Sequence, residues 1–253
     1  MSRSVIKRML GNVRQCNKDE KVPQYLISSI HNYQPDSKGI ISMSLFLTDS
    51  NGIENIRNRF MLLVQDSAKK IHHILPGWII RIYLDPRLNS LIPELIQSGC
   101  EVYEMAYPSV NFSGSLWRFL PLTEGKPFIS HDADMTVNTN TFFINGLKDE
   151  VPKWLKSDLP FFKRDLGVIN LFIKVSAGMF GGKMIIPDIH QKLARYCPTT
   201  FGSDEAFLAK ELYSDMKKHG YYRSVNPFEI IIFGIIFCIV IMVTMWGVSK
   251  LCI

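Results

Sequence analysis

The sequence lacks the motifs that define several large classes of protein. Its five cysteines are scattered, with no Cys-x-x-Cys pair, which argues against a disulfide framework and against a structural zinc site. It has no G-x-x-x-x-G-K-[ST] loop, and no G-x-G-x-x-G follows the first predicted strand. These absences exclude a P-loop NTPase by motif and disfavour a dinucleotide-dependent dehydrogenase. The net charge of +6 is mild, and no Lys- and Arg-rich block is interleaved with aromatic residues, so we expect no nucleic-acid partner.

Long apolar runs are also scarce, with one exception near the C-terminus. The run Phe228–Val248 reads FEIIIFGIIFCIVIMVTMWGV and has the length of a helix that crosses a bilayer, with a buried core helix as the alternative. Lys217, Lys218 and Arg223 precede it and only Lys250 follows it, which places the preceding side in the cytosol by the positive-inside rule. Near the N-terminus there is no apolar stretch of signal-peptide length. We therefore expect a tail-anchored, single-pass membrane protein with a cytosolic catalytic domain.

The rest of the chain shows a succession of strand and helix patterns. Apolar runs predict strands at 40–47, 78–84 and 100–105, and apolar spacing predicts helices at 53–74 and 88–97. Later patterns predict strands at 127–129, 168–174 and 176–183, a short helix at 114–122, and helices at 188–196 and 203–213. Strand–helix units of this kind favour a mixed, mostly parallel α/β sheet flanked by helices, which binds ligands beyond the carboxyl ends of its strands.

The predicted organisation has three parts. Residues 1–36 are polar and basic with little periodicity and are expected to form an N-terminal arm. Residues 37–222 form the catalytic domain, and residues 228–248 form the transmembrane helix.

A pair of aspartates follows a short apolar strand. Asp132 and Asp134 stand in the stretch Ser130-His131-Asp132-Ala133-Asp134-Met135, and residues two apart point to the same face of a regular strand. At a strand end, both can reach one hard cation, directly or through water. A cation held by two carboxylates keeps positions that phosphate oxygens fill. This pattern predicts a metal site for a nucleotide diphosphate, and the alternative is an Asx-rich turn.

Three further features are candidates for chemistry. Arg118 lies in the short helix before the aspartates, where a guanidinium can fork to a diphosphate or to metal-binding carboxylates; the alternative is a surface arginine. The run at 177–182 contains Gly181 and Gly182, whose backbone a sugar can approach closely, or which form a bulge. Asp204 and Glu205 begin a helix, where the dipole stabilises acidic residues, or where a carboxylate contacts a substrate.

Together these motifs resemble glycosyltransferases of the GT-A type. In small transferases of this kind an arginine-bearing helix precedes a glycine turn, a strand and a DxD motif. Here Ser115–Leu122, Gly125, Phe128 and the two aspartates follow that order, and Lys126 stands in place of a second glycine. Three further pieces are similar to bacterial and viral proteins of this group. They are PGWIIRIY at 76–83, GMFGG at 178–182 and GSDEAFL at 202–208.

The resemblance implies a role for each matching residue. Asp132 and Asp134 would bind Mn²⁺ or Mg²⁺, with Asp134 favoured as the direct ligand, and Arg118 would orient the donor diphosphate or the DxD carboxylates. Asp204 would contact a sugar or acceptor hydroxyl, or act as a base. Thr48, at the end of the first strand, would meet the nucleotide base. The implied fold is a GT-A-like, Rossmann-like mixed sheet with the C-terminal transmembrane helix added.

We therefore expect a metal-dependent hexosyl- or pentosyltransferase. It would move a sugar from a UDP- or GDP-sugar donor to a glycan, glycolipid or glycoprotein acceptor at a membrane. The alternative is a catalytically inactive GT-A-like domain that binds sugar or acts as a membrane-anchored scaffold. A metal-dependent phosphohydrolase would need further carboxylates or histidines near the metal, and the sequence shows no obvious cluster of them.

Overall fold

The structure is a computed structural model that describes residues 25–48, 51–134, 141–164, 175–196 and 202–223. Within these residues, eight strands form one sheet. They are β1 (Ile27–His31), β2 (Gly39–Leu45), β3 (Trp78–Leu84), β4 (Glu101–Met105), β5 (Phe128–Ser130), β6 (Phe161–Arg164), β7 (Phe180–Gly182) and β8 (Gly220–Arg223). The strands lie in the order β1-β4-β3-β2-β5-β7-β6-β8.

Helical segments connect these strands. The described α-helices are α1 (Ile53–Ile56), α2 (Leu62–Ile74), α3 (Ile92–Gln97), α4 (Thr141–Lys156), α5 (Ile189–Ala194), α6 (Ser203–Phe207) and α7 (Tyr213–His219). The π-helical turn Arg57–Met61 joins α1 to α2, and the π-helical turn Leu208–Leu212 joins α6 to α7. Segments of 3₁₀ helix lie at Pro86–Leu91, Ser113–Thr123 and Ala177–Met179.

The central strands are buried on both faces of the sheet. β2 and β3 are parallel, with Ile40 opposite Ile79 and Ile41 opposite Ile80. Ile40 and Ile79 face a core that includes side chains of the 3₁₀ segment Ser113–Thr123, whereas Ile41 and Ile80 face a core that includes α2. Continuous apolar strands of this type are expected where helices cover both faces of a parallel sheet.

The strand order contains a switch point between β2 and β5. The chain runs from β2 outward through β3 to β4, and β5 then pairs with the other side of β2 in parallel. In open α/β sheets, ligands bind beyond the carboxyl ends of the strands at such a point. β5 ends at Ser130, so the residues that follow it lie at this position.

Four of the seven strand pairings are parallel, so the sheet is mixed. Its central strands and the helix after β2 lie close to their predicted positions. The strand predicted at 168–174 lies outside the described residues. α4 extends through part of a stretch that showed no clear pattern, and it carries Pro152 in its interior.

Three strands at the margins of the sheet were not predicted. β1 lies within the stretch predicted as an arm, and it pairs antiparallel with β4. It is largely exposed and its sequence, ISSIH, is half polar, so it has no apolar pattern. β6 and β8 have four residues each, too few to show a strand period.

The predicted transmembrane helix at 228–248 is corrected. No helix among the described residues is long and apolar enough to cross a membrane. α4 has 16 residues, about 24 Å at the α-helical rise, whereas a hydrocarbon core is about 30 Å thick. The longer helical stretch at 53–74 carries charges throughout. Residues 228–248 themselves lie outside the described residues.

The fold of the described residues therefore contains no membrane-spanning helix. The predicted localisation, single-pass through a C-terminal helix with a cytosolic catalytic domain, depended on that helix and is corrected with it.

Candidate active site

Arg118 lies at the centre of a cluster of carboxylates. It belongs to the 3₁₀ segment Ser113–Thr123 and is 7% exposed. Its Nη1 donates to Oδ1 of Asp132, and its Nη2 donates to Oδ2 of Asp204. The hydroxyl of Ser42 in β2 donates to the Arg118 carbonyl oxygen at 2.8 Å, which ties the segment to the central strand. Arg118 thus holds together two acidic residues from distant parts of the chain.

The two DxD carboxylates have different partners. Asp132 is bound to Arg118, whereas Oδ2 of Asp134 accepts from Nη2 of Arg59 at 3.2 Å. The Asp132 side chain is 35% exposed and the Asp134 side chain 41% exposed. Both carboxylates therefore reach the solvent beyond the carboxyl end of β5.

A glycine closes one side of the Asp132 carboxylate. A Cβ atom added to Gly178 would lie 2.9 Å from Cγ of Asp132, closer than real Cβ contacts allow. The neighbouring Ala177 is fixed from both sides, because its carbonyl oxygen accepts from the Ser130 hydroxyl and its N–H donates to Oε1 of Glu205 at 3.4 Å. This segment can lie against Asp132 only because residue 178 has no side chain.

Asp204 and Glu205 form an acidic pair at the start of α6. Burial raises the pKa of Glu205 to about 9, and its hydrogen bond to Asp204 and the charge of Asp204 act in the same direction. Burial also acts to raise the pKa of Asp204, but the charge of Arg118 and the hydrogen bond from Glu205 outweigh it, so the pKa of Asp204 is lowered. At neutral pH the pair therefore has one ionised carboxylate, at Asp204, and one neutral carboxyl, at Glu205.

The carboxylate oxygens of Asp132 and Asp134 are ligands of the type that a hard divalent cation prefers. Asp132 and Asp134 supply carboxylate oxygens at a solvent-accessible strand end. Among the described residues, no group of three or more His, Cys, Asp or Glu side chains could hold a metal ion. Mg²⁺ is commonly bound by one or two carboxylates together with substrate phosphates and water. The donor set therefore suits a cation that completes its coordination with a phosphorylated ligand.

The other predicted site residues lie apart from the arginine cluster. Thr48 lies just past the end of β2, in a turn where its N–H donates to Oδ1 of Asn51 at 2.7 Å. Gly181 and Gly182 lie in β7, paired with β5 and β6. A Cβ at Gly181 would lie 2.7 Å from the Phe128 carbonyl oxygen, so the packing of the sheet requires this glycine. Contacts of these residues with a donor remain predictions.

Three residues join the site that the sequence did not assign to it. Glu205 stood next to a candidate, but burial, which the sequence does not show, separates its pKa from that of Asp204. Gly178 lay in the glycine-rich run, although the pattern directed attention to Gly181 and Gly182. Arg59 is 75 residues from Asp134, and no local pattern connects them.

Known proteins resemble this chain only distantly. No protein-family profile matches it, and no curated protein matches its sequence. The crystal structure of S. aureus TarS residues 1–349 is similar, with a TM-score of 0.39 and 14% sequence identity. That similarity covers 75% of this chain and 58% of the TarS chain, so this chain spans little more than half the length of that structure. A likeness of this extent does not decide between functions.

Proposed function

We propose that the protein is a metal-dependent glycosyltransferase that takes a sugar from a UDP- or GDP-sugar donor. The observation that carries the proposal is the cluster in which Arg118 joins Asp132 to Asp204 beyond the carboxyl end of β5. This cluster stands at the switch point of the sheet, where open α/β folds bind ligands. It combines solvent-facing carboxylates for a cation with a buried arginine that fixes one of them.

Asp132 and Asp134 would hold Mn²⁺ or Mg²⁺. When bound, such an ion neutralises negative charge that develops on a departing diphosphate. Asp132 is held in place by Arg118, whereas Asp134 is paired with the exposed Arg59 and is able to change its partner. The pair therefore combines one fixed carboxylate with one adjustable carboxylate.

Arg118 would act on the donor through its carboxylate partners. Two of its nitrogens already donate to Asp132 and Asp204, and the side chain is almost fully buried. A guanidinium in this position orients carboxylates and is shielded from a diphosphate. Of the two roles that the resemblance implies for Arg118, the geometry supports the orientation of one DxD carboxylate, Asp132.

Asp204 and Glu205 would take different roles. Asp204 is ionised and bound to Arg118, and its lowered pKa makes it a weak base at neutral pH. Glu205 keeps its proton up to a pKa of about 9. Because that proton is donated to Asp204, the oxygens of Glu205 can accept a hydrogen bond from a hydroxyl. We assign Asp204 the role of fixing Arg118, and Glu205 the contact with a hydroxyl of the sugar or of a glycan, glycolipid or glycoprotein acceptor.

Calorimetric titration of the full chain against a panel of nucleotide sugars tests this function. The titrations are run with Mn²⁺ and with EDTA, and release of nucleoside diphosphate is measured for any donor that binds. We expect one donor to bind only with Mn²⁺, and Asp134→Asn to abolish this binding while the folded state persists. Failure of a folded wild-type chain to bind any donor with Mn²⁺ would refute the proposal.

One observation favours a second candidate, a catalytically inactive GT-A-like domain that binds sugar. Both DxD carboxylates already have arginine partners in the described structure, so each of them is paired without a cation. This candidate predicts binding of free sugars or glycans that is the same with Mn²⁺ and with EDTA, and no release of nucleoside diphosphate.

A further inference from the structure

Arg59 reaches the candidate metal site from the opposite side of the switch point. It lies in the π-helical turn Arg57–Met61, which follows β2, whereas Asp134 follows β5. Its guanidinium contacts Asp134 at 3.2 Å, and its side chain is 62% exposed. Turns of π-helix inside longer helices are frequent at functional sites. Arg59 therefore reaches across the carboxyl ends of β2 and β5, where a ligand is expected.

The pairing of Arg59 with Asp134 is exchangeable. Ion pairs between exposed side chains contribute little to stability, and the Asp134 side chain is itself 41% exposed. This pair differs from the contact between Arg118 and Asp132, in which the arginine is buried and also donates to Asp204. A cation that binds Asp134 has to compete with Arg59 for the same carboxylate.

Once Asp134 turns to a cation, Arg59 loses its carboxylate partner. Its guanidinium then lies beside a bound cation and needs an anion in the same space. A planar guanidinium forms forked, charge-assisted hydrogen bonds with phosphate oxygens. The anion that the proposed function brings to this position is the diphosphate of the nucleotide-sugar donor.

We propose that Arg59 is an exchangeable ligand of the donor diphosphate, paired with Asp134 in the free protein and with phosphate oxygens in the complex. The proposal rests on the proposed function, because the diphosphate and the cation belong to it. It assigns two opposing effects to one side chain. Arg59 weakens binding of a divalent cation alone, and it strengthens binding of a nucleoside diphosphate together with that cation.

The neighbouring Arg57 provides a matched control. It lies in the same π-helical turn, but its guanidinium pairs with Glu94 at 3.1 Å and with Glu54 at 3.7 Å. Arg57→Gln and Arg59→Gln remove the same charge from the same segment. Only the second substitution removes a partner of Asp134, so any difference between the two variants reports on the site.

Isothermal titration of the full chain measures both effects. Mn²⁺ alone is titrated into the wild type and both variants, and UDP and GDP are then titrated at saturating Mn²⁺. For Arg59→Gln we expect up to about fivefold tighter binding of Mn²⁺ alone, since an exposed competing pair is lost. We expect about ten- to hundredfold weaker binding of the nucleoside diphosphate, since a charge-assisted hydrogen bond is lost. Arg57→Gln should match the wild type in both titrations.

Each other outcome overturns the inference. If Arg59→Gln weakens binding of Mn²⁺ alone, Arg59 supports the cation site and does not compete for it. If it leaves the affinity for the nucleoside diphosphate unchanged, or if Arg57→Gln lowers that affinity equally, Arg59 is not a specific diphosphate ligand. If the wild type binds no nucleoside diphosphate with Mn²⁺, the proposed function and this inference both fail. Binding of a nucleoside diphosphate by the wild type therefore shows whether the proposed function fails or only the role of Arg59 fails.

Discussion

Two buried arginines, Arg81 and Arg118, have similar partners and different surroundings. Arg81, in β3, donates to Glu101 and to Glu124, much as Arg118 donates to two aspartates. Its Cζ lies 4.1 Å from the centroid of the Tyr103 ring, and both Arg81 and Glu101 are fully buried. Glu101 also accepts from the backbone N–H of Gln34 at 3.0 Å. This cluster is enclosed around Arg81 and Glu101, while the Glu124 side chain is 32% exposed.

The carboxylates of the Arg118 cluster come from the second residue after β5 and from the start of α6. The exposed Asp134 and the neutral carboxyl of Glu205 lie beside this cluster. Glu101, by contrast, opens β4 and lies at its amino end. An arginine between two carboxylates is therefore not itself evidence of a site. The two clusters differ in where their carboxylates lie on the strands. Glu101 lies at the amino end of β4, whereas Asp132 lies beyond the carboxyl end of β5.

The largest effect on stability is expected from Arg81→Met. The substitution leaves Glu101 buried without its charge partner, and breaking a buried pair in this way costs about 3–5 kcal/mol. Denaturant unfolding measures the loss, and donor affinity of the remaining folded protein should be unchanged. Loss of Mn²⁺-dependent donor binding in folded Arg81→Met protein would remove the distinction between the two clusters.

A smaller loss of stability, with loss of binding, is expected from Arg118→Met. Asp204 loses its buried partner, but Asp132 stays partly hydrated, so we expect a cost of about 2–3 kcal/mol. Without Arg118 to fix Asp132, Mn²⁺-dependent donor binding should disappear. Arg118→Lys keeps the charge but cannot fork to both aspartates, and it should recover stability more than binding. Full donor affinity in Arg118→Met would show that this cluster is structural too.

A change confined to the site is expected from Gly178→Ala. The added Cβ collides with Asp132, so the carboxylate or the 3₁₀ segment Ala177–Met179 has to move. We expect donor binding with Mn²⁺ to weaken about tenfold or more, which corresponds to about 1.4 kcal/mol. Gly52→Ala is the control, because nothing lies within 4 Å of its added Cβ. Equal affinities for the two variants would show that Asp132 tolerates displacement.

The last expected effect is a change in the pH dependence of stability from Glu205→Gln. The pKa of Glu205 is about 9 in the folded protein and 4.5 ordinarily, so between these values the folded state binds the additional proton. Its contribution to stability is present below pH 4.5 and is lost as the pH rises toward 9. The lowered pKa of Asp204 acts below this window. Glu205→Gln should therefore flatten the decline in unfolding free energy measured from pH 5 to 9.

A parallel pH profile for the wild type and Glu205→Gln would mean that Glu205 ionises normally. The acidic pair would then resemble any exposed helix start. The absence of a shift would also remove Glu205 as a hydrogen-bond donor to Asp204 at neutral pH.

The sequence predicted the parts of the fold that local pattern controls. The apolar runs of β2 and β3 are buried on both faces and are recognisable without partners. The DxD motif after β5 stays a predicted site. β1 was not recognisable, because a half-exposed edge strand has no apolar pattern. Asp132 pairs with Arg118 and Asp134 pairs with Arg59. These two pairings depend on contacts between segments that are distant in the sequence. The two-residue spacing of the aspartates predicted that both bind one cation. That spacing contains no information about arginines that compete with the cation for the carboxylates.

The contact of Arg118 with Asp204 has a consequence for the order of folding. Asp132 lies only 14 residues from Arg118, whereas Asp204 lies 86 residues from it. Contacts of large sequence separation form late, because a long loop has to close before they contribute. During synthesis, Arg118 can meet Asp132 soon after both have left the ribosome. The buried side of the cluster stays incomplete until α6 has been made and has docked.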